Sequence, residues 1–242
     1  MTRQIVTLVL VLAGIGRPTP NGQDVLDRMK ARTVARDRTM SALMTIRDRN
    51  GREQSRAIRS IMKGNDRMMV TFTAPVDLAG VTFLSTPGGN MSVYLPASGR
   101  VRRVAGSMVG EGFGGSDFSY GEMADISFTA RDSIVSVAGV ELAGRAAWLL
   151  TIDAGNGART RLWTDCERDL PLQVEKVGAS GAVEKRVEFG DFRSAGDLRL
   201  PGQIVMHDLK KGSVTTITVR EFELNVGLPD SRFTEAGMKR GA

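Results

Sequence analysis

Cysteine and histidine are almost absent from this chain of 242 residues, which has one of each, Cys166 and His207. A single thiol excludes an internal disulfide, and one cysteine with one histidine cannot complete the four-ligand set of a structural zinc site. His207 lies in a strand-like segment, and the acidic neighbours of Cys166 disfavour a reactive thiolate. No glycine-rich stretch has the G-x-x-x-x-G-K-[ST] spacing of a nucleotide site. We therefore expect no catalytic residues, no metal and no cofactor.

Aromatic residues are also scarce, at 5% of the chain, whereas Met (12) and Gly (28) are plentiful. Aliphatic and thioether side chains must therefore fill most of the interior. Because methionine is flexible, such an interior can repack around varied ligands. The alternative is that each methionine only fills a gap in an ordinary core.

The chain has one long apolar run, residues 5–15, preceded by Arg3 and followed by Gly16, Arg17 and Pro18. The run is too short to span a bilayer and is typical of a secretory signal. We predict a signal peptide over residues 1–20, with an uncertain cleavage site, and a single β domain over residues 21–242. Retention as an uncleaved anchor is the alternative. The predicted location is the periplasm.

The formal net charge is modest, +6. Nucleic acid is not an expected partner. Basic residues gather at 28–38 and 100–103. These clusters could contact anionic lipid head groups or an acidic protein, and the alternative is a solvated surface.

From Met40 onward apolar residues alternate with polar ones, which is the pattern of β-strands. Asn50-Gly51 and similar turn signals separate about eleven such segments. The sequence predicts a mainly β fold, a strongly curved antiparallel sheet with one wet and one dry face. Few helices can cover it, namely an amphipathic one at 23–34 and short pieces near Tyr120 and Ser231.

An incompletely covered apolar concavity is a typical site for a hydrophobic ligand. The alternation of apolar and polar residues along the strands predicts most of the cavity lining, and Phe118 is added as a loop residue that can point inward. The predicted lining residues are Met44, Ile58, Met68, Val70, Phe72, Phe83 and Phe118. A one-residue error in register would exchange the two faces.

Three motifs follow one another in the middle of the chain: Tyr-Leu-Pro at 94–96, Arg-Val-Arg-Arg-Val at 100–104, and Gly-Phe-Gly-Gly-Ser-Asp-Phe-Ser-Tyr at 112–120. Ser116 or Asp117 could cap a short helix at Tyr120, and Asp117 could pair with a nearby arginine. The stretch is either a gate or partner contact, or a structural corner pinned by an Arg–Asp pair. Its candidate residues are Tyr94, Arg100, Arg102, Arg103, Gly115, Ser116, Asp117 and Tyr120.

Together these motifs resemble the outer-membrane lipoprotein-sorting protein family, in particular the LolA-like group associated with RND-type exporters. The resemblance implies an unclosed β-barrel of the LolA/LolB type, with a hydrophobic cavity that takes up acyl chains without cofactor or covalent chemistry. Gly121 stands where the family usually has an acidic residue, and Glu122 follows it.

The expected function is that of a monomeric, non-enzymatic periplasmic carrier for the acyl chains of a lipid or lipoprotein. One alternative is an accessory module that docks on an RND-type inner-membrane exporter. A weaker alternative is an enzyme acting on envelope lipids.

Overall fold

The structure, a computed structural model, describes residues 18–125 and 134–242. Most of the predicted signal peptide, residues 1–17, lies outside the described residues. The described chain divides into two compact units, residues 18–32 with 134–184, and residues 33–125 with 185–242. That residues 21–242 form a single domain stays a prediction. No helix in the described ranges combines the length and apolar character needed to cross a membrane.

Strands dominate the described residues. The helices are α1 (Gly22–Thr33), α2 (Tyr120–Ala124) and α3 (Glu235–Arg240), with 3₁₀ turns at Pro96–Ser98, Gly106–Gly110, Phe113–Gly115 and Asp230–Arg232. The strands are β1 (Asp37–Arg47), β2 (Glu53–Lys63), β3 (Arg67–Ala74), β4 (Thr82–Thr86), β5 (Asn90–Leu95), β6 (Arg100–Val104), β7 (Ile134–Leu142), β8 (Arg145–Gly155), β9 (Ala158–Asp165), β10 (Pro171–Val177), β11 (Val183–Gly190), β12 (Arg193–Ala195), β13 (Leu198–Leu200), β14 (Gln203–Asp208) and β15 (Ser213–Leu224).

The smaller unit pairs β7, β8, β9 and β10 as successive antiparallel neighbours, with α1 beside them. The predicted apolar stripe of α1 is confirmed, because Val25, Leu26 and Met29 are buried. The Sδ atom of Met29 lies 4.0 Å from Oγ1 of Thr164 in β9. The helix therefore packs on this sheet through the stripe that the sequence shows.

The larger unit is a row of nine antiparallel strands in the order β6-β5-β4-β3-β2-β1-β15-β14-β11. Among the described residues, β6 pairs only with β5, so the row does not close on itself. The predicted class, a large unclosed antiparallel sheet with few helices, is confirmed.

About eleven strands were predicted, and the described residues contain fifteen. The extra ones include β6, whose arginine-rich sequence hides the alternation of apolar residues. The pair β12 and β13 was also missed. Each has three residues, too few to show a period of two.

Register assigns the side chains of the larger sheet to two faces. Ile58 is opposite both Ala42 and Phe72, and Val70 is opposite Phe83. Directly paired residues share a face in an antiparallel sheet. We call this side, which carries Phe72 and Phe83, the aromatic face.

The other side, the opposite face, is covered in part by the C-terminal segment, residues 228–242. Residues of the sheet and of this segment form one buried apolar cluster, which we call the C-terminal cluster: Ile61, Met69, Leu84, Leu228, Phe233 and Met238. The backbone N–H of Ala242 donates a hydrogen bond to Thr71 Oγ1 at 2.9 Å. The prediction of one wet face is therefore wrong over β2, β3 and β4, where the segment supplies an apolar cover.

Candidate functional site

The structure places all six predicted strand residues of the cavity lining on the aromatic face. Met44, Ile58, Met68, Val70, Phe72 and Phe83 are each no more than 4% exposed. Phe118, from the loop at residues 113–120, is buried as well. The sequence pattern therefore assigned these side chains to one surface correctly, and their contact with a ligand stays a prediction.

An aromatic cluster joins this face to the loop. The ring of Phe113 stacks on Phe72 with centroids 4.9 Å apart, and it lies 5.6 Å from Phe83 and 5.7 Å from Tyr120. Burial raises the pKa of Tyr120, and the negative charge of Glu111 raises it further. Phe113, the centre of the cluster, was not among the residues predicted from the sequence. A large aromatic residue between glycines could have indicated a side chain that packs into the interior and holds the loop in place.

Gly114 is required by this cluster for two reasons. Its φ of +57° is in the left-handed region, which side chains other than glycine rarely adopt. A Cβ atom at this position would also overlap the ring of Phe72. The glycine therefore allows the loop backbone to approach the aromatic face closely.

Asp117 fixes the loop to β15. Its carboxylate accepts hydrogen bonds from the hydroxyls of Ser213 and Thr215, the latter at 2.7 Å. Its backbone N–H donates to Thr215 Oγ1 at 3.0 Å. Asp117 is 3% exposed and Thr215 is fully buried. The predicted pairing of Asp117 with an arginine is wrong, because two hydroxyls 96 and 98 residues away satisfy the carboxylate instead.

Lys185, on β11, makes a second connection to the loop. Its Nζ donates to the carbonyl oxygen of Asp117 at 2.7 Å and to Glu122 Oε2 at 2.6 Å. We call Asp117, Glu122, Lys185, Ser213 and Thr215 the Asp117 cluster. The cluster connects the loop to two strands of the larger sheet through side chains that are mostly shielded from water.

The short helix predicted at Tyr120 is present as α2, but neither Ser116 nor Asp117 caps it. Ser119 is the N-cap: its hydroxyl accepts from the backbone N–H of Glu122, whose carboxylate accepts from the backbone N–H of Ser119. Glu122 is thus both a capping residue and the ion partner of Lys185. At Gly121 a Cβ would lie 2.9 Å from Cγ1 of Val109, so an acidic residue there would require Val109 to move.

The remaining candidates of the central motifs are not members of the Asp117 cluster. Arg100, Arg102 and Arg103 are exposed on β6, and none forms an ion pair within the part of the chain that the structure describes. Tyr94 packs against the C-terminal cluster of the opposite face. Gly115 is exposed, and Ser116 is buried with its hydroxyl bonded to the carbonyl of Phe118.

Two pockets lie along β15, β1 and β2. One of about 410 Å³ is lined by Ser41, Ala42, Leu43, Ala57, Ile58, Arg59, Thr73 and Arg220. The other, of about 680 Å³, lies beside the C-terminal segment, with Leu228, Arg232 and Ala242 in its wall. Of the predicted lining residues, Ile58 contributes to the smaller pocket.

A family model described as an uncharacterized protein matches residues 64–240. No curated protein matches the chain. A solved domain from Vibrio parahaemolyticus, named for outer-membrane lipoprotein sorting, is 23% identical, with a TM-score of 0.78 over 90% of this chain and 98% of its own.

Two further solved structures have the same fold. A DUF1329 family protein from Desulfovibrio piger is 23% identical, with a TM-score of 0.79 over 90% of this chain and 97% of its own. A LolA superfamily protein from Nitrosomonas europaea is 20% identical, with a TM-score of 0.74 over 91% of this chain and 100% of its own. The chain therefore has a LolA-like fold.

Proposed function

Because the chain belongs to the family matched over residues 64–240 and has the fold of LolA-like lipoprotein-sorting proteins, we propose that it is a periplasmic carrier that binds the acyl chains of a lipid or lipoprotein. The observation that carries the proposal is the aromatic face, an apolar surface on an unclosed sheet. The proposed carrier works by reversible binding and has no catalytic step.

Apolar burial alone can supply the affinity. Each buried methylene contributes about 0.8 kcal/mol, so a long acyl chain can gain several kcal/mol after the cost of its ordering. The aromatic face offers thioether, aliphatic and aromatic contacts, including Met44, Met68 and Phe83. Flexible methionine side chains can move aside for a chain that enters between them.

A pair of adjacent tryptophan variants tests which face binds. Phe83 is on the aromatic face and its neighbour Leu84 is on the opposite face, so Phe83→Trp and Leu84→Trp place a fluorophore on either side of β4. We expect a fatty acid brominated along its chain to quench Phe83→Trp strongly. Leu84→Trp should be quenched no more than the wild type, which carries Trp148 and Trp163.

Met68→Trp and Met69→Trp form a second pair of the same design on β3, in case a Phe83 variant fails to fold. Saturable quenching confined to the opposite-face variants would contradict binding at the aromatic face. If wild-type protein purified from a bacterial host carries no lipid by mass spectrometry and no variant is quenched, the carrier proposal is wrong.

The exposed arginines of β6 favour a second candidate, an accessory module that docks on an RND-type inner-membrane exporter. Arg102 and Arg103 have no ion partner among the described residues and lie on an edge strand. For this candidate we expect co-purification of the wild type with such an exporter, its loss in Arg102→Glu with Arg103→Glu, and no acyl-chain quenching of any tryptophan variant. Arg47→Glu with Arg52→Glu, at exposed positions elsewhere, is the matched control.

A further inference from the structure

Arg38 is a cation on the aromatic face. It is directly opposite Met62 of β2 and Leu224 of β15, and it shares the face with Met40 and Ala42. Its Nε and Nη2 atoms lie 3.1 and 2.8 Å from the sulfur of Met62. Arg38 is half-buried. Because a thioether is a weak acceptor, the guanidinium has no strong hydrogen-bond partner among the residues that the structure describes.

Neighbouring carboxylates do not neutralise Arg38. By register, Asp37 and Glu223 belong to the opposite face, and Asp37 accepts from the backbone N–H of Gly227. Throughout residues 18–125 and 134–242, no carboxylate lies within ion-pair distance of Arg38. Burial lowers the pKa of Arg38 to about 10, so the side chain remains charged at neutral pH.

Arg38 and the Asp117 cluster lie at opposite ends of the aromatic face. Thr215, which holds Asp117, is opposite Ile46 near the end of β1, whereas Arg38 is near its beginning. At 3.3 Å per residue, Arg38 and Met44 are about 20 Å apart along β1, comparable to an extended long acyl chain. The side chains around Arg38, which are Met40, Phe222 and Leu224, are only half-buried.

We propose that Arg38 is the head-group contact of the carrier, and that the preferred ligand is a single acyl chain ending in an anionic oxygen group, a carboxylate or a phosphate. This inference rests on the proposed function and names the ligand class of the same site. The chain would lie along the aromatic face and its anionic end would accept hydrogen bonds from the guanidinium. Such charge-assisted bonds are stronger than the contact with Met62 that they replace.

The folding energetics agree with a functional role. Because burial lowers the pKa of Arg38 in the folded state, folding disfavours its charged form at neutral pH. This charge therefore destabilises the unliganded protein, and the contribution of Arg38 to that cost is relieved only as the pH rises through about 10, where the folded guanidinium loses its proton. A ligand anion offsets this cost, and Arg38→Met should melt no lower than wild type.

Three ligands with the same sixteen-carbon chain test the inference by calorimetric titration: hexadecanoate, hexadecyl phosphate and hexadecan-1-ol. We expect wild-type protein to bind at least one of the anions about tenfold more tightly than the alcohol. Comparing the two anions distinguishes a carboxylate ligand from a phosphate ligand. Arg38→Met should lose this preference and keep the affinity for the alcohol, whereas Arg38→Lys should keep part of the preference.

Arg47→Met, an exposed substitution on the same strand, is the matched control and should bind all three ligands as wild type does. Equal binding of anions and alcohol by wild type overturns the role of Arg38 but leaves the carrier function intact. Equal loss of all three ligands in a folded Arg38→Met or Arg38→Gln also overturns it. If wild type binds none of the three, the carrier function itself is wrong.

Discussion

Replacing Asp117 with alanine should lower the free energy of unfolding by about 2–4 kcal/mol, because two hydrogen bonds to a buried carboxylate are lost together. The hydroxyls of Ser213 and Thr215 would remain buried, at 9% and 0% exposure, without their acceptor. Urea unfolding followed by circular dichroism measures the change. Asp117→Asn should cost less, because its amide can still accept one of the two bonds.

The matched control is Asp77→Ala, at an exposed position for which we expect a change within about 0.5 kcal/mol. A double variant that also replaces Ser213 with alanine should cost less than the sum of the single substitutions, because the two residues share a hydrogen bond. Unchanged stability of Asp117→Ala would show that the Asp117 cluster does not hold the loop to the sheet.

Strand periodicity predicted the aromatic face well, for a physical reason. In a strand, successive side chains point to opposite sides, so Met68, Val70 and Phe72 must share a face once the segment is extended. Turn signals such as Asn50-Gly51 then limit the register between neighbouring strands. The amphipathic stripe of α1 was predicted by the same kind of argument, with a period of 3.6.

The parts that sequence reasoning missed depend on contacts between distant segments. Ser213 and Thr215 look like ordinary strand residues, and nothing local shows that they bind Asp117. The apolar residues of the C-terminal segment, such as Phe233 and Met238, are too widely spaced to show which strands they cover. The expected Arg–Asp pair came from proximity in sequence, which does not establish proximity in the fold.

Of the two interpretations of the loop at residues 113–120, a fixed structural corner agrees with its contacts better than a gate that opens for the ligand. Phe113 packs it onto the aromatic face, and Asp117 holds it to β15. Opening the loop would break both contacts at once. A ligand can approach the Arg38 end with less disruption, since the surrounding Met40, Phe222 and Leu224 are only half-buried.

Phe113→Ala should lower the free energy of unfolding by about 3–5 kcal/mol, because a ring that is 1% exposed would leave a cavity among three aromatic neighbours. Urea unfolding measures this cost. Phe113→Leu should recover about half of it by filling most of the space, without restoring the stacking on Phe72.

Val76→Ala is the matched control, because Val76 is 93% exposed and its truncation removes no buried contact. Phe113→Leu also shows whether Phe113 anchors the loop or contacts the ligand. If Phe113 only holds the loop, folded Phe113→Leu should bind the sixteen-carbon ligands as wild type does. Loss of binding with little loss of stability would instead make Phe113 a ligand contact, and the gate would then be the better interpretation of the loop.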